Sequence, residues 1–466
     1  MKKSPIFIGR TEKYMLPVVN KYEIYPSVFP AKQESLVTVV PRERSAIFAD
    51  GEEYSVTVIA VDSEPITETT VNYTVTAKDG VLSFVHPFLE EQEYKIVISK
   101  NESSVTEAVV YSLDEDLYSL LPMMGDLHSH SVRSDGRQDP VALAGYMRER
   151  GYDFYAMTDH HRYYPSEEVR EALFGVKTGL VTLLGEEVHA PGAGFHTVHI
   201  GGAASVNEQY VKRREEFDSE ILEYEARVPE SVPQKHRERY ARAMWASEHI
   251  HAVGGLAIFA HPFWRPNKSK HHNVSTEFAA IVLKSGLFDV YELIGAMSQQ
   301  ENNASVAFWN DLRVEGLNIP VVGSSDVHSV QSSPEFPWQR TVLFAEEKND
   351  KSIIEAIKCG RSVAVEITGV DYTAQYRAYG SLRFVNYVQF LLRNYFAKTA
   401  RLAYGEGVAI RAYAMGDAPK ELVELQAAEA EKFTARFFGR APAPKPSSEL
   451  VLSKARWDEI HKDYQV

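Results

Sequence analysis

The chain of 466 residues contains a single cysteine, Cys359, and no long hydrophobic run. One thiol excludes an intrachain disulfide and a metal cage built from several thiolates. No apolar run approaches the length that a transmembrane helix needs. The segment Met1–Val19 also lacks the sustained apolar stretch of a secretory signal, because Pro5 and Glu12 interrupt it. The sequence therefore predicts a cytoplasmic protein without a membrane partner.

Positive charge is also scarce, since 50 lysines and arginines face 64 acidic residues and leave a net charge of -14. Proteins that bind nucleic acid usually carry a basic face, so no nucleic-acid partner is expected, although a local phosphate pocket stays possible. The length suits two or three domains, and the apolar content is sufficient for sizeable cores. We expect an ordinary enzyme with a small-molecule substrate, and a homo-oligomer is possible.

Histidine, in contrast, is concentrated in one interval. Of 16 histidines, only His86 and His461 lie outside the stretch from His128 to His328. Within it, apolar runs repeatedly end in a histidine or a carboxylate, and in an α/β barrel such strand ends are where catalytic groups converge. The segments with this pattern are GDLHSH at 125–130, YAMTDH at 155–160, LLGEE at 183–187, HTVHI at 196–200, LAIFAHP at 256–262 and VVGSSDVH at 321–328. Together they predict a metal site.

The first of these segments shows the reasoning most clearly. His128 and His130 are one residue apart after an apolar run, so on a strand both imidazoles would point to the same face. Asp135 adds a hard oxygen ligand shortly afterwards. Histidine with carboxylate and without thiolate suits Mn²⁺, Fe²⁺ or Zn²⁺.

The periodicity of apolar and polar residues divides the chain into three parts. Residues 1–120 read as short strands, with a hairpin turn at Asp79–Gly80, which predicts an immunoglobulin-like β-sandwich. Residues 121–370 alternate strands with helices such as Asp350–Cys359, which predicts an α/β domain whose mainly parallel sheet closes as a barrel. A charged helical stretch, Val206–Arg242, interrupts it as a lid or as a surface excursion. Residues 371–466 predict a helical C-terminal extension with an extended linker at Ala441–Pro446.

The motifs DLHSHSVRSDG, TDHH, GEEV, HTVHIGG, AHP and GSSDVHS, in this order, resemble those of the PHP (polymerase and histidinol phosphatase) family of metallophosphoesterases. The resemblance covers about Met123 to Val365 and leaves the sandwich and the helical tail unexplained. It implies a distorted (β/α)7 TIM-like barrel that holds two to three divalent metal ions.

The resemblance also implies a set of ligands. His128, His130 and Asp326 would hold one ion, and Glu187 would bridge it to a second. The remaining ligands would be His199 and His261 at the second ion and Asp135, His160 and His328 at the third. Glu187 is preferred to Glu186 by the family's spacing from a glycine, and His199 is preferred to His196 by its place before Ile200-Gly201-Gly202. Both alternatives stay open.

The chemistry that follows is hydrolysis by a water that bridges two ions. Glu187 and Asp326 would be catalytic through the metals, and Asp159 would orient a ligating histidine. Arg133 and Arg265 lie beside metal motifs and could clamp a phosphate.

Three functions remain open at this point. The first is a phosphoesterase for a small phosphomonoester or nucleotide. The second is a metal-dependent hydrolase of an amide, carbamate or ester, which an apolar pocket lined by His189, Phe195, Phe263 and Trp264 would favour. The third is a non-catalytic binding protein that keeps its metal, and the complete ligand set argues against it.

Overall fold

The computed structural model describes residues 21–64, 69–266, 271–331, 338–368 and 375–462. Its first part is a sandwich of two sheets, one with the order β1-β3-β6 and one with the order β2-β8-β7-β4-β5. Strand β7 alternates buried and partly exposed residues, as a strand with one face on a core must. The strands are β1 (Tyr22–Tyr25), β2 (Val28–Pro30), β3 (Gln33–Pro41), β4 (Glu53–Ala60), β5 (Thr70–Thr76), β6 (Leu82–Phe88), β7 (Glu93–Lys100) and β8 (Ser103–Leu113).

The sandwich agrees with its sequence pattern at the hairpin turn. Asp79 and Gly80 both have positive φ, at 56° and 74°, and Lys78 pairs with Val81 across them. A turn with two central residues in this region is typical of a two-residue hairpin. Buried side chains from both sheets form one apolar cluster. The immunoglobulin-like topology remains a prediction.

The second part contains a six-stranded sheet, β11-β10-β9-β17-β18-β19, and a five-stranded sheet, β12-β13-β14-β15-β16. Isolated bridges from Ser129 to Val327 and from His160 to Glu187 join the two sheets at one end. The strands are β9 (Leu121–Asp126), β10 (Phe154–Ala156), β11 (Val181–Leu183), β12 (Gly185–Val188), β13 (Thr197–Ile200), β14 (Leu256–Phe259), β15 (Val290–Ile294), β16 (Val321–Gly323), β17 (Gln339–Ala345), β18 (Ser362–Thr368) and β19 (Gln375–Tyr379).

The predicted mainly parallel barrel is only partly present. Strand β13 pairs antiparallel with both β12 and β14, and β17 pairs antiparallel with β9 and β18. Strand β13 runs antiparallel to β12 because the connection between them, at residues 189–196, is too short for the crossover helix that a parallel pair requires. The result is an α/β arrangement of two bridged sheets, and the distorted (β/α)7 barrel remains a prediction.

Helices cover these sheets. Helix α2 (Pro140–Glu149) is capped by Asp139, whose side chain accepts hydrogen bonds from the Val141 and Ala142 backbone N–H groups, and Pro140 occupies its first turn. The predicted helical stretch after β13 is confirmed as three helices, α4 to α6. The helices up to residue 358 are α1 (Glu115–Tyr118), α2 (Pro140–Glu149), α3 (Tyr164–Ala172), α4 (Asn207–Lys212), α5 (Arg214–Arg227), α6 (Arg237–Ala252), α7 (Thr276–Lys284), α8 (Gln299–Val314) and α9 (Asp350–Lys358), with 3-10 turns at Arg44–Ala46 and Gln234–His236.

From Leu382 onward the C-terminal region is helical as predicted, and these helices pack on the α/β part. The predicted extension from residue 371 also contains strand β19, which pairs with β18. Helices α10 and α11 are joined by a π-helical turn, and α11 crosses α2 where Gly407 meets Gly145. Beside this crossing, the buried guanidinium of Arg148 binds the buried carboxylate of Glu406 at 2.7 Å. The elements are α10 (Leu382–Leu391), the π turn (Leu392–Phe396), α11 (Ala397–Ala414), α12 (Lys420–Phe437) and α13 (Ser448–Ile460). No helix in the described ranges has the length and apolar character of a membrane span.

Candidate metal centre

The ligand-type side chains singled out by the sequence meet at one end of the two bridged sheets. His128 and His130 follow β9, His160 follows β10, and His261 follows β14. Asp326 and His328 follow β16, and Glu187 lies within β12. The bridge between Ser129 and Val327 holds the first and last of these segments side by side. Residues almost 200 positions apart in the chain thus form one cluster.

Glu187 is the centre of this cluster. Its side chain is fully buried, and imidazole nitrogens approach both carboxylate oxygens. Oε1 is close to His196 Nδ1 (2.8 Å) and His261 Nε2 (3.3 Å), and Oε2 is close to His160 Nδ1 (2.6 Å), His189 Nε2 (3.3 Å), His128 Nε2 (3.5 Å) and His130 Nε2 (3.6 Å). A buried carboxylate with imidazole nitrogens beside both oxygens is a candidate metal ligand.

Two further carboxylates complete the cluster. Asp326 Oδ1 lies 2.8 Å from His130 Nε2 and 3.3 Å from His128 Nε2. Asp135 Oδ1 lies 3.2 Å from His328 Nε2 and 3.4 Å from His160 Nε2. Among the described residues, four groups could each hold an ion, with ligand atoms within 4.8 Å of one another: His128–His130–Asp326, His128–Glu187–His261, His130–Asp135–His160–His328 and His160–Glu187–His189.

Unsatisfied buried atoms test whether these residues fit a metal. His128 Nε2 and Glu187 Oε2 are buried and make no hydrogen bond, although they lie 3.5 Å apart. Buried polar atoms of this kind normally have a partner. A divalent cation would supply one, and the donor set of imidazoles and carboxylates without thiolates suits Mn²⁺, Fe²⁺ or Zn²⁺. The residues therefore fit the divalent metal ions that the sequence predicts.

The charges of the cluster favour ionised carboxylates. Burial alone would raise the pKa of Glu187, but His196 and His128 hold this pKa well below its ordinary value. The pKa of Asp326 is lowered against its burial by His128 and His130. Burial opposes the charged form of His160, yet the nearby carboxylates of Asp135 and Glu187 raise its pKa to about 10. Because metal ligands must be deprotonated, ionised carboxylates at this position are ready to bind a cation.

The backbone takes unusual conformations beside the ligands. His161, His261 and Asp326 have positive φ, at 59°, 25° and 48°. Residues other than glycine rarely adopt this region, and such strain persists where the surrounding structure requires it. All three residues follow strands whose ends carry the cluster.

The structure corrects the choice between His196 and His199. Glu186 pairs with His199 across the β12–β13 hairpin, and the Glu186 carboxylate contacts His199 Nδ1 at 3.1 Å. Paired residues of antiparallel strands share a face, and neighbours in a strand alternate. Glu187 therefore shares its face with His196, and His199 points away from the cluster. The preference for Glu187 over Glu186 agrees with this geometry.

Sequence reasoning missed Glu292, which lies in β15. Its Oε2 atom lies 2.9 Å from His128 Nδ1, and the residue is 1% exposed. The available signal was a single carboxylate inside an otherwise apolar strand, because a buried charge needs a compensating partner. His189 is a second addition to the cluster, since its ring stacks on that of His196 with centroids 3.8 Å apart.

Asp159 does not have the contacts predicted for it. Its carboxylate accepts hydrogen bonds from the Ser131 backbone N–H at 2.9 Å, from Ser131 Oγ at 2.7 Å and from Ser134 Oγ. The prediction that Asp159 orients a ligating histidine is therefore wrong, because its carboxylate binds Ser131 and Ser134. Asp159 instead fixes the loop that follows His130.

The two arginines predicted to bind phosphate differ in how closely neighbouring side chains hold their guanidinium groups. Arg133 is held by Glu168 through two contacts, at 3.0 and 2.8 Å. Within the described ranges, the contacts of Arg265 are longer, at 3.5 Å to His272 and 3.8 Å to Glu301. Arg265 would therefore give up weaker contacts than Arg133 if its side chain turned toward a bound anion.

The helical insertion reaches the rim of the cluster. Tyr210 of α4 has its hydroxyl 2.9 Å from His161 Nδ1. His161 neighbours the ligand candidate His160, so α4 forms part of the wall. Farther along, α5 packs through Phe217 and Ile221 into a buried apolar cluster that also contains Trp245 of α6. The insertion is thus more than a solvated excursion, although its action as a lid remains a prediction.

Compared with protein-family models the chain has no match, and it has none among curated proteins. Among solved structures, 57% of the chain is similar to 77% of a two-domain protein from Bacteroides vulgatus described as containing a PHP-like metal-dependent phosphoesterase, at 18% identity and a TM-score of 0.38. A protein from Bifidobacterium adolescentis described as a metal-dependent phosphoesterase is similar at 18% identity and a TM-score of 0.32, over 44% of this chain and 87% of that one.

An amidohydrolase from Chromobacterium violaceum, whose structure contains sulfate and no metal, is similar over the same shares at 16% identity and a TM-score of 0.29. Likenesses of this degree carry no information about the reaction, which has to be argued from the site itself.

Proposed function

We propose that the protein is a metal-dependent hydrolase, and specifically a phosphoesterase that cleaves a small phosphomonoester or nucleotide. The observation that carries this proposal is the buried carboxylate of Glu187 with histidine nitrogens on both of its oxygens. A carboxylate surrounded in this way is suited to bridge two cations, and hydrolytic sites with two metals use such a bridge.

The residues that would hold the ions follow from the contacts. His128, His130 and Asp326 would hold one ion, and Glu187, His196 and His261 would hold a second. Asp135, His160 and His328 would hold a third. The chemistry that divalent ions supply at such sites is activation of water and neutralisation of charge on phosphoryl oxygens.

The chain's own residues would position the substrate. Arg265 is the better placed of the two predicted clamps, because its present contacts are long. A guanidinium binds two oxygens of a phosphate at once and so fixes its orientation. We expect a free small molecule as substrate, in a cytoplasmic protein that needs no nucleic-acid or membrane partner.

A second candidate is hydrolysis of an amide, carbamate or ester. The observation in its favour is the aromatic wall beside the cluster, where the Trp264 ring lies 5.6 Å from that of His261 and 6.0 Å from that of His196. An apolar wall suits an uncharged substrate better than a phosphate dianion.

The experiment that separates these reactions is a substrate screen with metal analysis. Protein purified without chelator and reconstituted with Mn²⁺ or Zn²⁺ should contain more than one equivalent of metal. It should hydrolyse phosphomonoesters faster than amides, carbamates or esters. One ion or none after reconstitution would contradict the metal site, whereas activity confined to carbon esters or amides would support the second candidate.

The matched variants for this screen are Glu187→Gln and Glu186→Gln. Both residues are fully buried, but only Glu187 faces the histidine cluster. Glu187→Gln should lose metal and at least about a thousandfold in rate, because the amide loses the charge that holds two cations together. Glu186→Gln should keep its metal and most of its activity. The reverse result would show that the assignment of ligands is wrong by one residue.

A further inference from the structure

Glu292 is the only charged residue of β15, a strand that is buried along its whole length between β14 and β16. A carboxylate in such a position is costly unless a partner compensates its charge. Among the described residues its hydrogen-bond partner is His128, so the reason for the charge should lie in what His128 does.

The geometry defines the state of the His128 ring. Glu292 Oε2 lies 2.9 Å from Nδ1, while Nε2 points toward Glu187 at 3.5 Å and Asp326 at 3.3 Å. A carboxylate can only accept a hydrogen bond, so the proton of the neutral ring belongs on Nδ1. The lone pair is then on Nε2, which is the nitrogen that faces the carboxylates of the cluster.

The second oxygen of Glu292 has no compensation of its own. Oε1 is buried without a hydrogen-bond partner. It lies beside Gly295, where a Cβ atom would come within 2.6 Å of it. The absence of a side chain at residue 295 thus leaves room for the carboxylate, and the contact with His128 is what holds it.

We infer that Glu292 is a positioning residue that acts through His128 and sets the affinity of the metal position to which His128 contributes. The inference rests on the proposed function, since it requires a cation at His128 Nε2. A carboxylate on the far nitrogen fixes the ring orientation and makes the near nitrogen more basic. Loss of such a partner typically weakens metal binding by about 10- to 100-fold.

The test is a Co²⁺ titration of the metal-free full-length protein, followed by the visible absorption of the bound ion. Glu292→Leu should weaken one equivalent by about 10- to 100-fold and leave the others unchanged. Glu292→Gln should show a smaller loss, because its amide oxygen can still accept the Nδ1 hydrogen bond. Glu186→Gln is the matched control, since Glu186 is a buried carboxylate on a histidine outside the cluster. It should bind Co²⁺ as the wild type does.

Two further variants keep the inference testable if a substitution at residue 292 impairs folding. Gly295→Ala should displace the carboxylate of an unchanged Glu292 and weaken the same equivalent. In a His128→Ala background, Glu292→Gln should cause no additional loss, because its effect passes through the ring that has been removed.

The outcomes separate this inference from the proposed function. If the wild type binds several equivalents and the Glu292 variants bind all of them equally well, Glu292 has no positioning role and the metal site stands. If the wild type binds no Co²⁺, the proposed function fails and the inference fails with it. An additional loss from Glu292→Gln in the His128→Ala background would overturn the route through His128.

Discussion

The two histidines of the β13 segment have different surroundings, although only three positions separate them. His196 Nδ1 lies 2.8 Å from Glu187 Oε1 at the cluster. His199 is completely buried on the opposite face, where Glu186 binds its Nδ1 and the backbones of Gly202 and Gly255 pass close to its Nε2. His196 therefore belongs to the proposed metal centre, whereas His199 contributes to packing.

Substitution of each histidine should therefore have a different effect. His196→Ala should lower the metal content and the activity with little change in the free energy of unfolding. His199→Ala should keep the metal and lower the free energy of unfolding by roughly 2 to 5 kcal/mol, because it leaves a cavity and an unpaired Glu186. Metal analysis and thermal unfolding of both variants check this, and loss of metal from His199→Ala alone would restore the original preference for that residue.

This pair also shows where sequence reasoning stops. The histidines and carboxylates of the cluster could be found from their positions after apolar runs, and all but His199 among the predicted ligands lie together. The face on which each of His196 and His199 points depends on the pairing of β12 with β13, and spacing within a motif does not determine that pairing. Glu292 was missed because its partner His128 is 164 residues away.

At the scale of elements, the α2–α11 crossing depends on two glycines. A Cβ at Gly407 would lie 2.4 Å from the Gly145 carbonyl oxygen and 2.5 Å from the Glu149 backbone nitrogen. These are backbone atoms, so the helices would have to separate. Gly405 lies in the same helix, but a Cβ there would meet only the flexible side chain of Gln426.

The matched pair Gly407→Ala and Gly405→Ala tests this crossing. Gly407→Ala should lower the free energy of unfolding by about 1 to 3 kcal/mol because it overpacks the contact. Gly405→Ala should be neutral or stabilising by up to about 1 kcal/mol, since alanine favours the helix. Chemical denaturation of both variants measures the difference, and equal stabilities would show that the helices do not need the close approach.

A pH effect is expected from strand β6 of the sandwich. His86 is 3% exposed, and burial lowers its pKa to about 4, while the unfolded chain keeps an ordinary value of about 6.5. Between these values the unfolded chain binds more protons, so the free energy of unfolding decreases as the pH falls from about 6.5 to about 4. The loss amounts to at most about 3 kcal/mol.

Hydrogen exchange of the β5 and β6 amides in wild type and His86→Gln would measure this loss. Glutamine can still bind the Tyr73 hydroxyl, which lies 2.9 Å from His86 Nδ1, but it does not titrate. Protection in the wild type should fall relative to the variant between pH 7 and pH 5. An unchanged ratio of protection would mean that His86 titrates normally in the folded sandwich.

Local elements and long-range strand pairings differ in how far the sequence determines them. The helix at Asp350–Lys358 and the turn at Asp79–Gly80 agree closely with their local patterns, because capping and turn chemistry act within a few residues. The mixed pairing of the α/β part could not be read in the same way. It depends on which strands meet across the domain, and β17 reaches β9 from more than 200 residues away.

At the scale of the whole molecule, the candidate metal ligands and the sandwich are separate in the chain but joined by packing. Every proposed ligand lies between His128 and His328. The Tyr111 ring of the sandwich, however, packs on Tyr387 and Phe390 of α10, with centroids 5.1 and 5.4 Å apart. The Arg383 guanidinium binds Glu91 of the sandwich and Asp116 beyond it. The C-terminal helices thus connect the two other parts.

Removal of residues 1–112 should leave the metal centre able to form, because none of its ligands and none of the strands β9 to β16 is deleted. The truncated protein should be less soluble and less stable, since Tyr387 and Phe390 lose the ring that covers them and apolar area returns to water. Full-length Arg383→Met is the companion variant. It removes the ion pairs of Arg383 with Glu91 and Asp116, and so weakens the packing between α10 and the sandwich while the sandwich itself is kept. Both proteins should bind the wild-type number of metal equivalents by elemental analysis. Loss of metal from a truncated protein with a native circular dichroism spectrum would show that the sandwich shapes the site through α10, and that the two parts are not chemically independent.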